Sequence, residues 1–199
     1  MNFNKSLIAL AATAASFAFT HSAMAADGTI NFTGEIMTAS CSLTGGAGAS
    51  VGGSKGNQIV AVNLGKVSAD SLGGAAGGGI AAGTQINLNV DCGSTGTGLN
   101  TVKLKFDPLS GSGLDGKNNK LLKTAGDAEG VGIGLYNTNN QLLDLAANET
   151  FDAQLVKGGT DDAPVYTAAL SMRAGYVANG ATIKAGTANG TLPFTLTYE

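Results

Sequence analysis

Apolar and polar residues alternate along most of this chain with a period of two, the mark of strands that bury one face and wet the other. Ile30, Phe32, Gly34 and Ile36 alternate with Asn31, Thr33 and Glu35, and Val60, Val62 and Leu64 follow. Ile86, Leu88, Val90 and Cys92 alternate with Asn87, Asn89 and Asp91; Val102, Leu104 and Phe106 alternate with Lys103, Lys105 and Asp107. Val131, Ile133 and Leu135 alternate with two glycines and Tyr136. The last run sets Phe194, Leu196 and Tyr198 against Thr195, Thr197 and Glu199. A further strand is expected over 165–176. Helical spacing is scarce, and only Ala146 to Phe151 suggests a short helical turn.

Turn clusters separate these runs: Gly45 to Gly48, Gly73 to Gly79, Ser110 to Gly116 and Asn137 to Asn140. Eight or so short strands without a long apolar helix to cover a parallel sheet predict an all-β, antiparallel sandwich. The glycine-rich stretches 44–56 and 73–83 are read as loops within one domain, because Cys41 and Cys92 bracket both.

The first 25 residues break the pattern. Lys5 supplies a positive start, Leu7 to Phe19 an apolar core, and Ala23-Met24-Ala25 a small-residue cleavage site, so residues 1–25 read as a secretory signal peptide. The apolar run is shorter than the roughly 20 residues of a membrane-spanning helix, and no direct membrane insertion is expected. Cleavage before Ala26 removes Lys5 from the 11 basic residues, leaving 10 against 14 acidic, a net charge of −4 without runs. Nothing in that balance favours nucleic acid.

Cleavage also removes His21, the one histidine. The mature chain then has no imidazole for a Ser-His-Asp triad, a Cys-His pair or a histidine metal site, and no catalytic residue, metal or cofactor is expected. Asp161-Asp162 sit in a polar loop and read as a solvated turn, with weak calcium binding as the alternative. Gly111 to Gly116 fits G-x-G-x-x-G but lacks the helix that would aim N–H groups at a pyrophosphate. Arg173 reads as a surface charge. Cys41 and Cys92 form an even pair in an exported chain, which favours one disulfide over two free thiols; without C-x-x-C a redox-active pair is disfavoured.

Five features together resemble the pilin subunits of chaperone–usher fimbriae, in particular type 1-like major fimbrial proteins. They are the segment Gly28 to Ile36, Cys41 soon after it, Ile86 to Cys92, the alternating C-terminal strand with Tyr198 in the penultimate place, and Gly186 fourteenth from the end. The resemblance spans the mature chain. It implies an incomplete immunoglobulin-like sandwich whose missing strand is supplied from outside, first by a periplasmic chaperone and then, at the outer-membrane usher, by the extension of the next copy or another pilus subunit. Such β-strand addition takes affinity from main-chain hydrogen bonds and register from alternate side chains.

Carried onto this sequence, the resemblance makes 26–36 the donor-strand extension, with Gly28, Ile30 and Phe32 facing the groove, and 37–199 the pilin domain. Only Ala26 and Asp27 precede Gly28, a short extension. Phe194, Leu196 and Tyr198 would edge the groove and face the chaperone's strand, and the terminal carboxylate, on Glu199, would anchor to basic chaperone residues. Cys41 and Cys92 would tie the first strand to the second.

The expected function is therefore a structural subunit, the major shaft component of an adhesive fimbria on a Gram-negative surface, serving cell adhesion or biofilm formation. A minor or adaptor subunit is the alternative. A carbohydrate-binding tip fits less well, since Cys41 stands 15 residues after Ala26 and leaves no room for a preceding lectin domain. An exported β-sandwich glycosidase working through two carboxylates is the remaining competitor.

Overall fold

In the computed structural model, residues 41–72 and 83–199 are described. The predicted signal peptide and donor segment, with Gly28, Ile30 and Phe32, lie outside them, as does most of the glycine-rich 73–83.

The described residues form strands and short 3-10 turns, joined throughout by antiparallel pairs. The strands are β1 (Ser42–Gly45), β2 (Ala49–Ser54), β3 (Asn57–Val62), β4 (Gly83–Gly93), β5 (Thr101–Phe106) and β6 (Leu122–Lys123). They continue as β7 (Val131–Tyr136), β8 (Thr150–Gln154), β9 (Val156–Gly159), β10 (Pro164–Ala178) and β11 (Phe194–Tyr198). One sheet has the order β1-β4-β10-β7-β6, with β9 also paired to β10; a second has the order β11-β5-β8; β2 and β3 form a hairpin. The fold is all-β, in keeping with an immunoglobulin-like sandwich.

Alternation places the core. From the larger sheet, Leu43, Leu88, Val90, Leu170 and Met172 point into one cluster, and Val102, Leu104 and Phe106 of β5 enter it from the smaller sheet. Leu104, Leu170, Val90 and Val102 are fully buried, each contributing roughly 1.5–3 kcal/mol. Cys41 and Cys92 are disulfide-bonded within this cluster, with Cα atoms 4.1 Å apart. The bond joins the residue before β1 to β4, and β1 pairs with β4 from Ser42↔Asp91 to Gly45↔Leu88. The strand tied to the first is therefore its neighbour in the sheet, with the β2–β3 hairpin between them in sequence.

Two expectations need correction. The stretch 44–56, read as loop, holds β2 and ends in the Lys55-Gly56 turn of a regular hairpin. The turn expected at Ala146 to Phe151 is confined to a single 3-10 turn, Leu145–Ala147, whose first N–H groups are capped by Asp144 Oδ1. Asn148 then takes a left-handed conformation at φ 54° and the chain enters β8.

All of β7 is buried, although its pattern predicts one wet face. Ile133 and Leu135 enter the main core, while the opposite face meets a second cluster of Leu121, Tyr136 and Val177 with Leu142 packed against it. Gly132 and Gly134 make that approach possible: a Cβ at Gly132 would stand 2.8 Å from the Leu121 Cβ, and one at Gly134 2.9 Å from a Val177 methyl.

Candidate functional site

The second sheet ends on β11, which among the described residues pairs with β5 alone. Its register, Phe194↔Phe106 through Tyr198↔Val102, settles which main-chain groups are used. Thr101 and Glu199 exchange both main-chain bonds at 2.9 Å, and Asp107 N donates to Pro193 O at 2.8 Å. Antiparallel ladders alternate, so the odd positions 193 to 199 turn their main chain toward β5. Phe194, Leu196 and Tyr198 turn theirs to the other edge. The same three residues point their side chains toward the core cluster and are only half-buried there.

Beside that edge lies an apolar cleft of about 600 Å³. Its floor is core: Leu88, Leu104, Leu135 and Met172. One flank is Val60 to Gly65, running out of β3; the other is Phe194 with Leu192 and Ala188 to Gly190. Of the three predicted C-terminal groove residues, Phe194 lines this cleft. Leu196 and Tyr198 share its face of β11 but do not line the opening. A second cleft of about 450 Å³, flanked by Lys66, Val67, Leu72 and Ile183 to Asn189, shares Gly65, Tyr176, Ala188 and Asn189 with the first. Together they form one furrow between the 60–67 and 183–194 segments.

The far end of the furrow is set by a close main-chain crossing. Isolated bridges join Ala125 to Asn189 and Glu129 to Lys184, Ala128 N donates to Thr187 O at 3.0 Å, and Lys184 Nζ pairs with Glu129 at 2.8 Å. Gly186 sits where the two chains touch: a Cβ there would stand 2.5 Å from both Ala128 N and the Asp127 carbonyl carbon. Gly186→Ala should therefore cost about 1–3 kcal/mol by overpacking. Gly116→Ala, whose methyl meets nothing within 4 Å, should be close to neutral; urea midpoints of the two variants check this.

Electrostatically the first cleft is quiet: among the described residues Tyr176 is the only titratable one lining it, and its hydroxyl donates to Ala188 O at 2.7 Å, whereas the second is lined by Lys66 and by Lys184. Burial pushes the Tyr198 phenol above its ordinary pKa, partly countered by a hydrogen bond with the Cys41 main chain. The Glu199 side-chain carboxylate lies 2.7 Å from Lys103 Nζ and, through that bond, holds the lysine above its ordinary pKa; the main-chain oxygen of Glu199 accepts from Asn100 N and Thr101 N. Among the described residues no three His, Cys, Asp or Glu side chains converge on a metal position, and every buried side-chain polar atom has a partner. Asp161 pairs with Lys157 at 3.0 Å, Gly111 packs against Thr191 and Pro193 with no helix following, and Arg173 donates to Asn140 Oδ1 at 2.8 Å. What the site offers is a shaped apolar trough along a strand edge that no other described strand pairs with.

Two polar positions escape a pattern-based reading. Asp115 and Asn179 are buried and joined at 2.8 Å; Asp115 Oδ1 also accepts from Lys117 N and Asn118 N, and Asn179 Oδ1 from Ala181 N. Gln58 stands in phase with Val60 and Val62 on the inward face of β3, where an apolar residue is expected. Its phase was the available signal.

Comparison with known proteins agrees with this geometry. The family model described as Fimbrial protein matches residues 30–199. The chain is 32% identical over 197 residues to Probable major fimbrial subunit LpfA of Escherichia coli O157:H7, covering 98% of this chain and 97% of the relative. It is 30% identical over 195 residues to Long polar fimbria protein A of Salmonella typhimurium, with 98% and 97% covered. It is 31% identical over 183 residues to Major fimbrial subunit SMF-1 of Stenotrophomonas maltophilia, with 89% and 95% covered.

Proposed function

The chain belongs to the fimbrial protein family as a structural subunit of the chaperone–usher type, and we propose that it is the major shaft subunit, joined to its neighbours by donor-strand exchange. The observation that carries this reading is the apolar furrow beside the outer edge of β11, which no other described strand pairs with. Protein interiors are close-packed, so an open trough of this size reaching the central core is a place for something to fill. An extended segment with apolar residues at alternate positions fits both demands: its side chains fill the trough and its main chain pairs with the edge.

The segment 26–36 of another copy has that pattern. Gly28, Ile30 and Phe32 would face the floor, with Ile30 and Phe32 contributing roughly 1.5–3 kcal/mol each. One copy's extension in the next copy's furrow is a head-to-tail interface, which does not close and so builds a filament. Residues 1–25 would direct export and be removed, leaving 26–36 as the donor and 37–199 as the pilin domain. A periplasmic chaperone would hold the furrow filled until the outer-membrane usher passes the subunit to the growing fibre. The terminal carboxylate on Glu199, one oxygen of which accepts from Asn100 N and Thr101 N, would turn its other oxygen to basic groups of that chaperone.

Two of the three named relatives carry the name major fimbrial subunit, one of them as a probable one, which favours the shaft over an adaptor. Assembly of this kind forms no covalent bond between subunits and asks for no enzyme activity or cofactor. In the test, Ile30→Asp or Phe32→Asp is expressed in cells deprived of the native chain. Export and chaperone capture should persist, while surface fibres disappear from electron micrographs. Normal fibres from either variant would refute the donor assignment.

A further inference from the structure

The furrow's outer flank, Val60 to Leu64, belongs to a two-stranded hairpin that is not continuous with either sheet. Apolar packing of Val60, Val62 and Leu64 presses that flank onto the core, and two polar side chains tie it to the sheet. At one end Gln58 meets the main chain of Leu43 twice: Leu43 N donates to Gln58 Oε1 at 3.0 Å, and Gln58 Nε2 donates to Leu43 O at 3.1 Å. At the other end Thr84 Oγ1 donates to Asn63 O at 2.8 Å, tying the flank to the start of β4.

The Gln58 bonds have a particular character. Gly46 N donates to Asn87 O at 2.8 Å and Asn87 N to Ala47 O at 3.2 Å, and alternation along β1 then turns Ser42 and Thr44 toward β4 and Leu43 outward. A primary amide carries a donor and an acceptor side by side, as a strand's main chain does. Gln58 thus stands where one residue of a neighbouring strand would, and it satisfies the outer edge of β1. Leu43 itself is buried in the main core, so the bond is made to a rigid point.

We propose that Gln58 is a positioning residue for the furrow: by pairing with Leu43 it holds the Val60–Leu64 flank at a fixed distance from β11 and so governs how slowly an inserted strand leaves. This rests on the reading of the furrow as a strand acceptor. Affinity differences between related complexes lie mostly in dissociation, and a flank free to swing outward opens the exit.

The full mature chain, purified with the periplasmic chaperone that captures it, is loaded with a fluorescent peptide of residues 26–36, and release is followed during a chase with unlabelled peptide. Gln58→Met keeps the length of the side chain but neither bond, and should release the peptide on the order of tenfold faster. Gln58→Glu is the discriminating variant. Ionised, it accepts from Leu43 N but turns an oxygen on Leu43 O; protonated, below a pKa of about 4, it regains a donor. Its release should be fast at pH 7 and return toward the wild-type rate, measured at the same pH, as the carboxyl protonates. β1, β2 and β3 carry no titratable side chain; Lys55 in the hairpin turn, Asp91 on β4 opposite Ser42, and Tyr198 and Glu199 at the end of β11 are shared with the wild type, whose rate at the same pH is the reference.

Hydrogen exchange at the Leu43 amide, faster in Gln58→Met while β4 and β10 stay protected, establishes that the variant is folded and has lost only this contact. Wild-type release rates in both variants would overturn the proposal, as would a fast Gln58→Glu that does not recover at low pH. Failure of the wild type itself to take up the peptide would instead overturn the strand-acceptor reading, and this proposal with it.

Discussion

Cys41→Ala combined with Cys92→Ala should lower the unfolding free energy by about 4 kcal/mol, the chain-entropy value for a loop of about 52 residues. The two cysteines are 51 apart in sequence, and both are buried where β1 meets β4. The loop they close contains the β2–β3 hairpin and the furrow flank, so the bond restrains a hairpin that, among the described residues, no strand of either sheet pairs with. Domains of this size are stable by only about 5–15 kcal/mol, and here part of the core is an open trough. The reduced form should therefore approach the margin of folding until a strand fills the furrow. Urea unfolding of the oxidised wild type against the double variant measures the difference. A shift below about 1 kcal/mol would mean that the denatured chain is already restrained, contrary to the chain-entropy account.

How far this organisation was legible depended on whether side chains advertised the packing. β4, β5 and β11 have long or aromatic apolar residues at alternate positions, and their inward sets, Ile86 to Cys92, Val102 to Phe106 and Phe194 to Tyr198, were readable directly. β10, expected over 165–176, runs Pro164–Ala178. β7 was readable as a strand but not as one covered on both faces. Its outward positions are Gly132 and Gly134, and glycine gives no hydropathy signal while permitting the closest approach. β2 was hidden for a related reason: three of its six residues are glycine or alanine, and only Val51 marks an inward phase. β8 and β9 have too few apolar residues to stand out.

The site was legible at one flank only. Phe194, Leu196 and Tyr198 announce an alternating edge, but the opposite flank depends on Gln58 and Thr84 contacts across 15 and 21 residues, which no local pattern encodes. The 186 position shows a different limit. A glycine there can be noticed, but the reason for it, the main chain of Asp127 and Ala128 lying against it, exists only after folding. The buried Asp115–Asn179 pair, 64 residues apart, is of the same kind.

The second large effect should come from moving the donor segment. Residues 26–36 are removed from the front of the mature chain and appended after Glu199 through a linker of about four residues, a common hairpin length. A strand following β11 through such a turn must run antiparallel to it, along the edge where Phe194, Leu196 and Tyr198 present their main chain. Ile30 and Phe32 would then enter their own chain's furrow. Edge hydrogen bonds and the remaining apolar contacts offset the ordering of the segment, leaving a gain of at least about 3 kcal/mol, the lower end for burying these two side chains. Because donor and acceptor are now in one molecule, the product should be a monomer that adds to no fibre and withstands more urea than the wild-type subunit. Register makes the test sharp. Lengthening the linker by one residue and shifting the appended strand by one place would turn Ile30 and Phe32 to solvent, and the gain should vanish if the furrow reads side chains at alternate positions. Equal stabilisation in both registers would mean that the edge binds any extended chain, and the assignment of Gly28, Ile30 and Phe32 to the furrow would fall.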